Sequence, residues 1–328
     1  MRTIDRSKIK NILVISLSNI GDTILTTPVV SVLRQHFPSS SLSVLASPKS
    51  APIFTNSETV NEVILFDKHA SWLEKLGLVF KLRKKRFDLV IDLKNTAIPL
   101  LIGARYRNSF FVDRSAVSMR QRHLDQLRFI APLKHEKNQF HFSTEGEKQN
   151  ALQKLRRAFP NMRMNHFAVL APGAGSSLKR WTIGGFAQLA DYLGQQGMQI
   201  VLVGEAGEIG LGKDLEQKIS KRCANLIGLL TLRELAGLIE QASLVVANDS
   251  AVMHLAHELN RPTVSIFGPT DEKKYSQTGP NRRTVRLNLD CTPCEIAKCR
   301  LERRMCLDDL PAEAVIQACE SLLNHVAH

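Results

Sequence analysis

The chain has 328 residues, 44% of them hydrophobic and 23% charged. That composition excludes a disordered chain, and the length suits two domains that each bury a core. Lys and Arg number 44 against 31 Asp and Glu, a formal charge of +13, and the excess sits in one half: residues 1–160 carry 26 basic and 13 acidic side chains, residues 161–328 carry 18 of each.

The first strand pattern is the apolar run Asn11–Leu17 (NILVISL). A short polar loop, Ser18–Gly21, leads from it into a helix expected from Asp22 to about Gln35. Strands are expected at Ser41–Ala46, Glu62–Phe66 and Asp88–Leu93, with a helix over Trp72–Lys84 between the last two. Strands that alternate with helices imply βαβ units and a parallel sheet, because parallel neighbours need long crossovers. The run Lys81–Arg86 (KLRKKR) and the basic residues scattered from Arg105 to Lys137 give this half its charge. Lys81–Arg86 alone fits a solvated helix face equally well, but the asymmetry between halves points to an anionic partner: nucleic acid, an acidic membrane surface or a phosphorylated substrate.

Phe159–His166, with Pro160 and Asn161, follows a charged helix and reads as a linker, giving domains 1–160 and 161–328. The second domain restarts the same pattern. Its strands are expected at Phe167–Ala171, Gln199–Val203, Leu244–Ala247 and Thr263–Phe267, and its helices at Gly185–Gln195, Leu211–Lys221, Thr231–Gln241 and Ala251–Glu258. Pro311–Asn324 reads as a terminal helix with proline in its first turn. The expected fold class is α/β: two Rossmann-like domains with parallel sheets facing across a cleft, ligands lying at the carboxyl ends of the strands. No apolar run approaches the ~20 residues of a membrane span. The charged N-terminus lacks the apolar segment of a secretory signal, so a cytoplasmic protein is expected.

No G-x-G-x-x-G follows the first strand and no G-x-x-x-x-G-K-[ST] occurs, against a dinucleotide oxidoreductase and a P-loop NTPase. Four polar loops follow strands instead. In Ser16–Thr23, Gly21 permits a tight turn and Asp22 falls at the helix start, as a cap or as a carboxylate open to a ligand. In Ala171–Trp181 (APGAGSSLKRW), two glycines, Ser176, Ser177 and Lys179 suit a phosphate cradle or a flexible loop. In Val245–His254 (VVANDSAVMH), a strand ends in a polar turn whose helix start suits a diphosphate. His254 shares a face with Ser250 there, though a histidine so placed is more often a satisfied core residue. The fourth loop is Phe267–Asp271 (FGPTD).

Taken in order, LSNIGDT (17–23), PGAGSSLKRW (172–181), NDSAVMH (248–254) and FGPTD (267–271) resemble the lipopolysaccharide heptosyltransferase family over nearly the whole chain. Arg105-Tyr106-Arg107 resembles a further basic motif of that family. The resemblance implies a GT-B glycosyltransferase that inverts a sugar anomeric carbon, with an ADP-sugar donor, an anionic lipid-linked glycan acceptor at the cytoplasmic face of the inner membrane, and no required cofactor. It implies Asp22 as the general base and Ser176, Ser177 and Lys179 as holders of the donor diphosphate. Asp249, Ser250, Ala251 and His254 would meet the donor, Leu230 would pack near its base, and Glu205 or Glu208 would supply an acidic contact. Arg105, Arg107, Arg120 and Arg122 become acceptor candidates. Two departures leave sugar and acceptor open: Ala251 stands where many members have glycine, and the segments after Ala97 match loosely.

Cys291, Cys294, Cys299 and Cys306 have the spacing of a structural zinc knuckle, an arrangement that would leave no open coordination position for catalysis. Cys223 and Cys319 read as buried thiols. The competing functions are another GT-B sugar transferase, a nucleotide-sugar epimerase, a non-catalytic sugar-nucleotide binder and a basic nucleic-acid-binding protein. Only 6% of residues are aromatic and no run of aromatics interleaves with Arg and Lys in the RNA-binding manner, which disfavours the last.

Overall fold

The computed structural model describes residues 5–109, 118–130, 138–160, 162–163, 166–296 and 298–326. Part of the expected linker, and Arg114, Lys134 and Lys137 of the basic scatter, lie outside the described residues. The chain divides into two compact units, residues 1–144 and 145–328.

In the first unit the elements run β1 (Asn11–Ser16), α1 (Ile20–Ile24), α2 (Thr27–His36), β2 (Ser41–Ala46), β3 (Glu62–Leu65), α3 (Trp72–Lys84), β4 (Leu89–Asp92), α4 (Ile98–Leu101), β5 (Tyr106–Arg107) and α5 (Met119–Asp125). The sheet order is β3-β2-β1-β4-β5, and every pair is parallel. Ile12 lies opposite Leu42 on one side and Leu89 on the other, so β1 is central and its Ile12–Ile15 run is fully buried. Strands covered on both faces read as continuous apolar runs, as this one does. The single helix expected over Asp22–Gln35 is two. Thr26 ends the first by donating to the Thr23 carbonyl at 2.6 Å, and Pro28, which has no N–H, sits in the first turn of the second. The helix expected over Trp72–Lys84 forms with those bounds, started by a capping box: Ser71 Oγ accepts from the Glu74 N–H and Glu74 accepts from the Ser71 N–H. Leu82 packs into the core with Leu13, Ile15, Leu45 and Val90.

The second unit begins earlier than expected, with α6 (Glu145–Ala158). There follow β6 (Phe167–Ala171), α7 (Ile183–Gln195), β7 (Gln199–Leu202), α8 (Ile209–Lys218), β8 (Ala224–Asn225), α9 (Leu232–Ile239), β9 (Leu244–Asn248), α10 (Ala251–Glu258), β10 (Thr263–Ile266), α11 (Glu272–Tyr275), β11 (Arg282–Val285), α12 (Met305–Asp308) and α13 (Ala312–Val326). The six strands are parallel in the order β11-β10-β9-β6-β7-β8. Leu170, Leu202, Val246 and Ile266 of the sheet pack with Phe186 and Leu189 of α7 and Val315 of α13.

The boundary lies before α6 because α6 packs on α9 and is tied to it by charge. Arg233 bonds Glu147 at 2.8 Å, and Lys154 bonds Glu234 at 2.7 Å. The Lys154 ammonium and the Thr231 N–H outweigh burial and hold the Glu234 carboxyl below its usual range. The helices approach closely at Gly237, where a Cβ would stand 2.7 Å from Lys148 Cα. Gly237→Ala is therefore expected to destabilise the protein by about 1–3 kcal/mol through overpacking, read by denaturant unfolding. An unchanged midpoint would show that α6 is not seated against this residue.

Candidate active site

In the second unit β6 leads outward through β7 to β8, and the chain then returns to the other side of β6 as β9. The reversal between β6 and β9 is the point where open parallel sheets bind ligands, outside the carboxyl ends of the strands. The loops after these two strands hold most of the residues singled out by sequence. Asn248, fully buried at the end of β9, locks them together: its Nδ2 donates to the carbonyls of Pro172 at 2.8 Å and Gly173 at 3.3 Å, and its Oδ1 accepts from the Trp181 N–H at 3.0 Å. Trp181 is itself pinned by an indole N–H bond to the Leu310 carbonyl at 3.0 Å. Between these anchors Ser176 caps the short turn Ser177–Lys179, accepting from the Leu178 N–H, and Ser177 stays exposed.

Lys179 reaches across to Asp249, Nζ to Oδ2 2.7 Å, and lies over the Tyr275 ring, 5.8 Å from its centroid. The Asp249 carboxylate is 4% exposed, so the ammonium neutralises a charge that burial would otherwise penalise. A lysine has three N–H donors, and one bond to Asp249 leaves two for an anion. His254 Nε2 stands 3.9 Å from the other Asp249 oxygen, and its ring lies beside Tyr275. Sequence alone offered His254 as a core residue or a site residue; it is buried, and it is also part of this cluster. The helix start is open: Ser250 precedes α10 without capping it, and its Oγ is buried with no hydrogen-bond partner among the described residues. The N–H groups of Ala251 and its successors are thus free of a side-chain cap, the arrangement that receives a phosphate at a helix N-terminus.

Of the two acidic candidates after β7, Glu205 is exposed and Glu208 is turned inward. The Glu208 carboxylate accepts from the Glu205 N–H at 2.9 Å, lies 3.7 Å from Arg180, and sits where a Cβ on Gly173 would come within 2.0 Å of its Oε1. Gly173 is required for that close approach rather than for flexibility. Leu230 follows the turn at Gly228, partly buried, beside the exposed Leu229.

In the first unit the corresponding reversal lies between β1 and β4. Asn19 occupies the cap position of α1 and makes no side-chain capping bond, so Asp22, in the first turn, is not the cap. Its carboxylate is half-buried and has no hydrogen bond or ion pair among the described residues. Ser18 Oγ in the same loop is buried and has no hydrogen-bond partner among the described residues. After β4, Asn108 bridges the Asp92 backbone to Gln126 just beyond α5, which brings α5 to the same end of the sheet. Lys94 and Arg122 stand close enough to His123 there to join burial in pushing its pKa down to about 4. Arg120 lies on the same helix and Arg107 is exposed on β5. Arg105 is not brought to this end. It precedes β5 and lines a hollow with Phe87 and Asp88, and Asp88 bonds the Asn11 N–H at the start of β1. The length of β1, about 20 Å for six residues, separates it from the loop that carries Asp22.

Residues 76–304 match the family model for glycosyltransferase family 9 (heptosyltransferase). The chain belongs to that family. It is 26% identical to lipooligosaccharide heptosyltransferase 2 of Campylobacter jejuni over 93% of this chain and 96% of that protein. It is also 26% identical to lipopolysaccharide heptosyltransferase 3 of Escherichia coli K12, over 92% of this chain and 95% of that one. Among solved structures, E. coli ADP-heptose LPS heptosyltransferase II covers 97% of this chain and 100% of its own with a TM-score of 0.78 at 24% identity. A family 9 glycosyltransferase from Veillonella parvula gives 0.81 at 22% identity, over 96% of this chain and 97% of its own. The fold is the GT-B type, built from two parallel α/β units.

Within this family 9 glycosyltransferase, sequence reasoning missed several residues that shape the site. Arg180 holds the 172–181 loop through two bonds to the Ala174 carbonyl at 3.1 and 2.8 Å, and Arg304 donates to the Ser177 and Arg180 carbonyls from far along the chain. Tyr275 lies in no motif, and only its position after β10 could have suggested it. The four clustered cysteines line one small apolar hollow with Leu178 and Pro269; among the described residues no three His, Cys, Asp or Glu side chains are placed to hold a metal ion. Burial, with the neighbouring thiols, raises the Cys306 pKa. Cys223 is pushed up to about 11 and Cys319 to about 12 by burial, as expected of inert thiols.

Gly173→Ala would put a methyl where the Glu208 carboxylate lies and push that flexible side chain out of its place beside the 172–181 loop. Calorimetric titration with ADP is expected to show at least about tenfold weaker binding, 1.4 kcal/mol, while Glu205→Ala, at an exposed position, changes affinity by less than about twofold. Equal effects of the two substitutions would remove Glu208 from the donor side.

Proposed function

We propose that this glycosyltransferase moves a heptose from ADP-heptose to a hydroxyl of a lipopolysaccharide core acceptor, with inversion at the anomeric carbon. The reading rests on family membership together with the open start of α10 beside Lys179, an anion site built at the switch point of the second sheet. In this reading the acceptor oxygen attacks the anomeric carbon as its bond to the diphosphate oxygen breaks. Asp22 takes the proton from the attacking hydroxyl; an unpartnered carboxylate in a polar loop has the free lone pairs that role needs. Negative charge grows on the leaving ADP, and the α10 N–H groups, Ser250 Oγ and the two free Lys179 donors are the fixed dipoles and charge that meet it. Ser176 and Ser177 add hydroxyls to the diphosphate, Asp249 and His254 contact the sugar, Leu230 packs near the adenine, and Glu208 rather than Glu205 supplies the acidic contact.

For the acceptor, Arg120 and Arg122 on α5, with Lys94 added to them, are the cations argued to lie toward the Asp22 end of the first sheet, and Arg107, level with Val90, is a candidate further back along its edge. They suit a phosphorylated, acidic glycan core. No helix among the described residues is long and apolar enough to cross a membrane, and a lipid-linked acceptor would be met by peripheral contact with the anionic inner-membrane surface.

Asp22→Asn is expected to lower kcat by about 10²–10⁴ with ADP affinity unchanged, the usual worth of a general base. Near-normal turnover by a folded Asn variant would remove Asp22 from the reaction. The donor is tested by titrating ADP, UDP and GDP in parallel: selective ADP binding that weakens in Lys179→Ala supports the reading, and selective UDP or GDP binding overturns the donor.

A further inference from the structure

The helix α3 carries apolar residues on both faces. Leu78, Val79 and Leu82 turn inward to the first unit's core. On the opposite side Trp72, Leu73, Leu76 and Phe80 are between 45% and 68% exposed, at the i, i+4, i+8 spacing of one helical face with Leu73 beside it. The α4 helix packs beside α3 and adds Leu100 and Leu101, each more than half exposed. An apolar surface of this extent on one helix pair is far from the singly scattered leucines of an ordinary surface. Nothing in the site described above uses it.

The chemistry of its edge says what covers it. As α3 runs toward its C-terminus the same outward face becomes basic, with Arg83 and Lys84, and the chain adds Arg86. Next to these a hollow of about 560 Å³ is lined by Phe80, Arg83, Lys84, Arg86 and Arg105, with Asp88 its one acidic wall residue. Asp88 is already committed: its carboxylate accepts from the N–H groups of Lys10 and Asn11 at 2.9 and 3.0 Å. None of the four cations has a carboxylate partner among the described residues. Over residues 1–144 as a whole, 22 basic side chains stand against 11 acidic ones. A second copy of the chain docked face to face would bring these cations against themselves. An anionic lipid surface meets both features: acyl chains take the Trp, Leu and Phe side chains, and phosphate headgroups take the cations.

We infer that the outward face of α3, with α4 and the basic hollow at its C-terminal end, is the surface by which this protein docks on an anionic phospholipid bilayer. The inference rests on the reading that the acceptor is lipid-borne, and it assigns that contact to particular residues. The α3 axis lies in the interface, its apolar N-terminal turns at the headgroup–acyl boundary and its cationic end among the phosphates. Arg105, which the fold keeps away from Asp22, belongs to this surface.

The test is co-flotation of the full chain with vesicles of phosphatidylethanolamine and phosphatidylglycerol, with pure phosphatidylcholine vesicles as the neutral control. The wild type is expected to float with the anionic vesicles only, and its Trp72 emission to shift to the blue, a shift absent from Trp72→Phe. The exposed positions allow a triple variant, Trp72→Ser with Leu76→Ser and Phe80→Ser, expected to partition at least tenfold more weakly. Arg83→Gln with Lys84→Gln is expected to lose roughly thirtyfold, at about fivefold per cation near an anionic surface. Variants that float like the wild type, equal wild-type binding to phosphatidylcholine, or a wild-type dimer that the triple variant converts to monomer would each overturn the inference. Flotation reads binding alone, so it is independent of which sugar is transferred. Turnover on detergent-dispersed acceptor reads the proposed reaction and is expected to be unchanged in these variants.

Discussion

Much of the donor-side architecture depends on one buried amide. Asn248 ends β9 with every polar atom of its side chain used, two bonds to the carbonyls of Pro172 and Gly173 and one from the Trp181 N–H. An amide buried without these bonds would cost a few kcal/mol, so the geometry is strongly enforced. By holding both ends of the 172–181 loop against β9, Asn248 brings Lys179 within 2.7 Å of Asp249, the next residue along the chain. The loop after β6 could otherwise move independently of the loop after β9. Joined, they make one rigid rim at the switch point, with Gly173 leaving room for Glu208 on one side and the uncapped α10 on the other.

The two units use charge differently. The second holds several cations in pairs around its helices and loops: Lys179 with Asp249, Lys154 with Glu234, Arg233 with Glu147, Arg304 with Asp308. Such pairs fix positions and add little net field. The first unit leaves several cations unpaired among the described residues and spreads them along its surface, from Arg83 and Lys84 at the end of α3 to the end of β4. Unpaired cations cost little in water, gain little for the fold, and act at a distance on anything anionic. In the proposed reaction, paired cations in the second unit would suit a small donor and the open basic surface of the first a large anionic acceptor.

The alternation of strand and helix was legible because each buried parallel strand is a short apolar run between turn signals, and β1, β2, β4, β6, β9 and β10 all form where their runs stand. The two-residue strands β5 and β8 were not, since Tyr106–Arg107 and Ala224–Asn225 have no pattern of their own and pair only because a neighbouring strand offers its edge. The membership of α6 was equally hidden: its attachment to the second unit depends on Lys154, Glu147 and the missing side chain of Gly237, contacts 80 or more residues apart in sequence. In the candidate site, loop composition picked out segments that the fold brings together after β6 and β9 but did not separate the two acidic candidates after β7. Glu205 and Glu208 are indistinguishable by spacing and are separated only when Gly173 and Arg180 are seen beside the second. The basic motif at Arg105–Arg107 was read as one site; its two arginines are about 7 Å apart along the edge, and only Arg105 lines the hollow beside Asp88.

The contrast between the two loop aspartates carries the division of labour further. Asp249 is 4% exposed and bonded to Lys179, so its carboxylate is already engaged in positioning the ammonium. Asp22 is half-buried, opens a short helix without capping it, and has no partner among the described residues. A base must be free to receive a proton from a group that arrives and leaves, whereas a residue that positions a lysine must not be. Under the proposed reaction, each loop has the aspartate that its proposed role requires. The difference is set by whether a cation is built beside it, which in turn follows from Asn248 holding Lys179 in place on one sheet and from no equivalent clamp among the described residues around Asp22 on the other.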